Sequence, residues 1–200
     1  MLVPLEDLDR ETAVAAIRSL EIELFGRHAW SENAIRQELA APARTYVFDC
    51  EREQGDPDGY GSDSRVQGPD GCVPGVFRGF AGYWYDGDDA EIMDIGVATK
   101  YQRRGLAGGM MTWLIGRARE QGARRMLLEV AVNNEAALAL YRRFGFERIG
   151  LRKRYYQPEG IDAYVMALDL EPRVVGFTAS ADGEDGADAR HTNEKDEGTK

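Results

Sequence analysis

The stretch 102-QRRGLAGGM-110 constrains the fold more than any other. It joins a strand-like run, 91-EIMDIGVA-98, to a helix-like run. The apolar stripe of that helix passes through Leu106, Met110, Trp113, Leu114 and Ala118 and stops near Gly122. A glycine-rich passage from strand to helix turns backbone N–H groups outward at the positive end of a helix dipole, a geometry that binds phosphate. Gly105 and Gly108 lack a Cβ where a ligand or a neighbouring backbone must come close. Taken alone, such a cluster is more often a plain strand–helix connection. Two better-known phosphate loops do not fit. No Lys-Ser or Lys-Thr follows, as a Walker loop requires, and residues 105–110 lack the spacing of a dinucleotide fingerprint.

The elements around this turn define the rest of the frame. Residues 8–25 have helical spacing, and a second helix is expected from Ser31, which can cap it, through 39. Runs 45–49, 76–86, 91–98, 126–132, 146–150 and 162–170 have strand composition, and 134–144 is helical, stopped by Gly145. A basic, aromatic loop, 152-RKRYYQPEG-160, is expected between the last two strands. This order predicts a mixed α/β (α+β) fold with helices on both faces of one sheet. Domain organisation follows from composition. Residues 1–170 read as one domain. The segment 51–75, rich in Gly, Pro, Asp and Ser, reads as a flexible acidic insert within a hairpin, and 171–200 as a disordered acidic tail.

Charge is unevenly placed. The chain carries a net −10, yet residues 100–154 hold 13 Lys or Arg against 4 acids. That segment suits a polyanionic ligand, although solvated helix faces would look the same. It lacks the basic–aromatic signatures of a nucleic-acid-binding module. Two cysteines imply no disulfide framework, and His28 and His191 have no ligand-spaced partners, so no metal is expected. The N-terminus has acids where a signal peptide needs bases, and no run approaches a membrane span. A cytoplasmic protein, monomeric and away from membranes, is the expectation.

Three residues downstream stand out. Glu129 is the only charge in a seven-residue apolar strand, where alternation puts Met126, Leu128, Val130 and Val132 on one face and Leu127, Glu129 and Ala131 on the other. Asn134 sits at a helix cap position, and Tyr141 lies one turn before Phe144 on that helix. Singly, these read as a surface acid, a cap and a core aromatic.

Together with 102-QRRGLA-107, they resemble the GNAT acetyltransferases, whose signature is Q/R-x-x-G-x-G/A. The run 128-LEVAVNNEAALALYRRFGF-146 resembles one branch in particular, the RimI-type protein N-terminal alanine acetyltransferases. The resemblance extends over about residues 5–170 outside the insert. It includes 30-WS-31, 95-IGV-97, 101-YQRRG-105 and 155-YYQP-158; Ala29 replaces the usual proline before Trp30, and Ala107 the second loop glycine. The resemblance implies a GNAT fold with a mostly antiparallel sheet of six to seven strands, splayed at a cofactor cleft. It also implies acetyl-CoA as co-substrate. The backbone of Ile95, Gly96 and Val97 would align its pantetheine arm, and the Val97 N–H would polarise the thioester carbonyl. Gln102 and the loop of Arg103, Arg104, Gly105, Leu106 and Ala107 would hold the pyrophosphate, and Asn134 would hydrogen-bond the cofactor. Glu129 would act as general base and Tyr141 as general acid, with Trp30, Tyr155 and Tyr156 lining a channel for a protein N-terminus. In the RimI type that substrate is the N-terminal alanine of small-subunit ribosomal protein eighteen. A small-molecule amine acceptor, or a non-catalytic acetyl-CoA-binding module, shares the same cofactor motifs, so both alternatives remain open at this point.

Overall fold

The computed structural model describes residues 1–52 and 74–170. The expectations for the centre of the insert and for the tail lie outside the described residues. Among the described residues, seven strands and four helices follow one another along the chain. They are β1 (Leu2–Pro4), α1 (Arg10–Phe25), α2 (Glu32–Ala40), β2 (Arg44–Arg52), β3 (Pro74–Tyr85) and β4 (Asp89–Val97). Then come α3 (Leu106–Glu120), β5 (Arg125–Ala131), α4 (Glu135–Arg143), β6 (Glu147–Tyr156) and β7 (Ile161–Asp169). One sheet contains all seven strands in the order β1-β2-β3-β4-β5-β7-β6. It is open, and every neighbouring pair is antiparallel except β4 and β5. No described helix is long and apolar enough to cross a membrane.

The helix boundaries follow local capping chemistry. Asp9 accepts from the Thr12 N–H at 3.0 Å, so α1 starts after Asp9 rather than at residue 8. Ser31 accepts from the Ala34 N–H at 3.1 Å and starts α2 as expected. One strand was not expected, and one expectation is corrected. Residues 2–4 carry no strand signal of their own, but they form β1 by pairing with Val47–Asp49 at the edge of the sheet. Residues 152–156 are not loop: they extend β6, while only 157–160 turn. The basic composition there reflects an exposed edge strand.

Helices cover both faces, as expected. From α1, Val14, Ile17 and Leu20 are buried, as are Ile35 and Leu39 from α2. From α3, Met110, Met111, Leu114 and Ala118 are buried. The strand register assigns the faces. A Cβ on Gly96 would meet the α1 side chain Leu24, and one on Gly79 would meet Met110 of α3. Gly96 pairs with Phe80, and Gly79 with Val97. Adjacent residues of a strand point to opposite faces, so α1 and α2 lie on one side of the sheet and α3 on the other.

The ladder between β3 and β4 contains one irregularity. Asp94 pairs with Gly82 but Ile92 pairs with Tyr83, which leaves Met93 as an extra, bulged residue. The bulge shifts the alternation, so Glu91, Asp94 and Gly96 share the α1/α2 face while Ile92, Ile95 and Val97 share the α3 face.

Candidate active site

Strands β4 and β5 pair through only three residues, the last pair being Glu91 with Leu127. Beyond it β4 follows β3 and β5 follows β7, so the sheet opens into a fork. The Ala98 N–H donates to the Arg78 carbonyl at 2.8 Å, which sets the phase of the β3–β4 ladder. In antiparallel pairing, hydrogen-bonded and non-bonded pairs alternate. Gly96 therefore spends its N–H and C=O on Phe80, whereas Ile95 and Val97 direct theirs into the fork. The Asp94 carboxylate takes the Ile95 N–H at 2.7 Å, and the Val97 carbonyl accepts from Gln102 Nε2 at 3.0 Å. The Val97 N–H is left facing the fork.

On the α3 face the fork widens into a cleft of about 530 Å³. Ile95 and Val97 form one wall; Gln102, Arg103 and the first turn of α3 form the end; Asn134, Leu140, Tyr141 and Arg143 form the far side. Arg103 (φ 62°) and Gly105 (φ 84°) are both left-handed, so the loop folds tightly into the helix. The first N–H of this segment bonded to protein is that of Gly109, to the Gly105 carbonyl at 3.0 Å. The N–H groups of residues 103–108 have no acceptor among the described residues. Unpaired amides at a helix N-terminus, with Arg103 and Arg143 beside them, fit a pyrophosphate. The strand-like gap beside Ile95 and Val97 fits an amide-bearing arm added edge-on. One expected contributor lies elsewhere. Gly96 is turned toward β3 and covered by Leu24 and Phe80, so it does not line the cleft. The Arg104 side chain stacks on Tyr101 at 5.4 Å, which leaves its backbone N–H, among those of residues 103–108, as its contribution to the loop. Arg143 went unnoticed in the sequence, where it looked like a surface charge; its guanidinium sits against Gly108.

Tyr141 is buried on α4, with its ring 5.7 Å from that of Phe146. Its hydroxyl makes no hydrogen bond among the described residues and borders the cleft. Burial pushes its pKa up, and Asp94 and Tyr156 add to the shift, so it holds its proton at neutral pH. Asn134 accepts from the Ala137 N–H at 3.1 Å, capping α4 at the cleft mouth.

The other face carries a different set. Glu129 pairs with Val165, lies on the α1/α2 side, and does not line the cofactor-sized cleft. Its side chain is 11% exposed and forms an ion pair with Arg152 Nη2 at 3.1 Å. Burial raises its pKa; Arg152 opposes the shift and Glu91 adds to it. The Tyr156 hydroxyl approaches the Glu129 carbonyl at 3.4 Å, and burial pushes its pKa up to about 12. Tyr155 packs edge-on against Tyr156, with centroids 5.1 Å apart. Trp30 enters through its backbone: its N–H donates to buried Glu21 at 2.8 Å and its carbonyl accepts from Arg18 at 2.6 Å. Glu21 in turn adjoins Asp94, whose pKa burial and Glu21 raise well above the usual carboxylate range. Glu159, in the turn after β6, pairs with Arg27 and with His28 (3.3 Å), tying that turn to the segment before α2. Glu21, Glu91, Asp94 and Arg152 were missed in the sequence. The acids of 91-EIMD-94 interrupt an apolar strand, which is the signal that could have found two of them. The fork thus joins two half-sites, with Tyr141 on one face and Glu129 on the other.

Comparison with known proteins agrees with this fold. Residues 15–146 match the model of the Acetyltransferase (GNAT) family. N-alpha-acetyltransferase RimI of Mycobacterium tuberculosis is 38% identical over 151 residues, spanning 75% of this chain and 82% of that protein. The ribosomal protein bS18-alanine N-acetyltransferase of Escherichia coli is 36% identical over 85 residues, spanning 42% of this chain and 57% of that protein. A crystal structure of the E. coli ribosomal-protein-S18-alanine N-acetyltransferase superposes with a TM-score of 0.64 at 24% identity, covering 88% of this chain and all of that one.

Proposed function

The chain belongs to the GNAT acetyltransferase family, and on that premise we propose that it acetylates the α-amine of protein N-termini. Acetyl-CoA is the donor; the M. tuberculosis relative supports an α-amine acceptor, and the E. coli relative supports a ribosomal protein beginning with alanine. A ribosomal substrate also implies a cytoplasmic enzyme. The observation that carries the mechanism is the fork: it joins a phosphate-suited cleft on one face to a buried carboxylate on the other.

Acetyl-CoA supplies the acetyl group as an activated thioester. The amides of residues 103–107, with Arg103 and Arg143, would hold its pyrophosphate, and Ile95 and Val97 would align its arm. An α-amine has an ordinary pKa of about 7.7–8.0, so most of it arrives protonated at pH 7. Glu129, ionised above its raised pKa, takes one proton from that ammonium. The neutral amine then attacks through the fork and forms the new C–N bond. The Val97 N–H is directed at the gap where the carbonyl oxygen gathers negative charge. As the C–S bond breaks, Tyr141 gives its proton to the sulfur. The second amine proton restores Tyr141, and Glu129 returns its own to solvent. One proton is released in all.

The test is incubation with acetyl-CoA and short Ala-, Ser- and Met-starting peptides, followed by mass spectrometry. Acetylation at the α-nitrogen with alanine preferred is expected. Modification of lysine side chains or of free polyamines alone would overturn the reading.

A further inference from the structure

Glu91 is a partly buried carboxylate on the last paired rung before the fork. Among the described residues it has no cationic partner, and its polar neighbour is the Glu129 carboxyl. The cation nearest in register, Arg44, is on the same face but is committed to Glu38 at 2.6 Å and stacks on Trp84. The strand neighbours of Glu91 on that face are Trp84 and Leu127. Glu129 lies two residues beyond Leu127, on the same face, so the two carboxylates sit side by side at the mouth of the fork. The groups facing Glu129 are Glu91 from β4 and Arg152 and Tyr156 from β6, while β7 contributes only Ala163, Val165 and Ala167 there. Two carboxylates and one guanidinium leave one negative charge unbalanced. A partly desolvated carboxylate without a counter-charge is costly, and it is relieved by an incoming cation.

We propose that Glu91 and Arg152 are positioning residues of the acceptor site: Glu91 receives the substrate's α-ammonium, and Arg152 holds the Glu129 carboxylate in place and ionised. The proposal rests on Glu129 being the base. An ammonium has three donors. One points to Glu129 and leaves as the proton; another remains on Glu91 and keeps the nitrogen aimed at the fork. Arg152 lowers the basicity of Glu129, and Glu91 raises it, so the two act in opposite directions on the same group. An acceptor lacking a positive charge, such as an amide or alcohol, would bring Glu91 no counter-charge.

The experiment measures kcat and both KM values against pH for wild type, Glu91→Gln and Arg152→Gln, using an Ala-starting peptide. Glu91→Gln should raise the peptide KM about ten-fold, the loss of a charge-assisted hydrogen bond, and leave the acetyl-CoA KM unchanged. The acid limb of kcat should move to lower pH in Glu91→Gln and to higher pH in Arg152→Gln, by about half a unit or more. A purely structural role would not shift the limb in opposite directions. If Glu129→Gln alone abolishes activity, while Glu91→Gln and Arg152→Gln show unchanged or parallel limbs and wild-type peptide KM, the proposal is overturned and the base assignment stands. Full activity of Glu129→Gln would overturn that assignment, and the proposal with it. Arg152 is half exposed, so Arg152→Gln should leave the fold intact, and thermal melts of both variants check this.

Discussion

At the scale of single residues, environment rather than identity decides what each group can do. Tyr141 is a core aromatic by burial, and its hydroxyl, without a hydrogen-bond partner among the described residues, is what suits it to the proposed role of proton donor. Tyr141→Phe should lower kcat by roughly 10²-fold while the acetyl-CoA KM changes little, because the ring still packs and only the proton is lost. Asp94 shows the opposite case, a buried acid whose charge is a burden. Its folded pKa lies well above the ordinary 3.8. A raised carboxyl pKa contributes stability that is fully present below the unfolded value and is lost as pH rises through the folded one. Asp94→Asn keeps an acceptor for the Ile95 N–H and gains a donor toward Glu21. Thermal melts should therefore show this variant equal to or above wild type at pH 8, with the advantage gone near pH 4. A variant that matches wild type near pH 4 but melts lower at pH 8 would show that the carboxylate is needed ionised. Glu129 was legible as the lone charge of an apolar strand. Its neighbours Arg152 and Glu91 were not, because they approach from strands 23 and 38 positions away in sequence.

At the scale of elements, local chemistry was legible and non-local pairing was not. Caps and turns announced α2, α3 and α4, since Ser31, Gly105 and Asn134 act within a few residues of themselves. Gly105 enters α3 at φ 84°, where a Cβ meets no neighbour but the backbone itself is strained. Gly105→Val should cost about 1–2 kcal/mol for the left-handed conformation. Because the adjacent amides lose their alignment, calorimetry should find acetyl-CoA binding weakened far more than the fold. The buried stripe of α3 supports the same loop from below. Leu114→Ala should lower unfolding free energy by about 2–5 kcal/mol in denaturant titration, as a fully buried leucine leaves a cavity. β1 and the far end of β6 were missed for one reason. A three-residue strand and a basic edge strand are strands by virtue of their partners, β2 and β7, rather than by composition.

For the whole molecule, the open fork between β4 and β5 is the feature that makes two half-sites one site. It gives adjacent amides different fates. The Gly96 N–H is spent on Phe80 inside the ladder, and the Val97 N–H faces the gap. Hydrogen exchange should find Gly96 slow with or without coenzyme A, and Val97 slowed only when it is bound. Equal slowing of both would mean that the ladder phase is wrong. The sequence by itself determined the types of all four helices and of the inner strands, the glycine turn, the lone strand acid and the capped helix carrying Tyr141. These depend on interactions spanning a few residues, which a linear pattern records. Only the tertiary structure decided which face each group occupies. One extra residue, Met93, shifts the alternation of β4, so it turns Gly96 away from the cleft, brings Val97 to it, and sets Glu91 beside Glu129. Register is a long-range agreement between strands, and a single bulge inverts it without leaving a mark in the pattern of either strand alone.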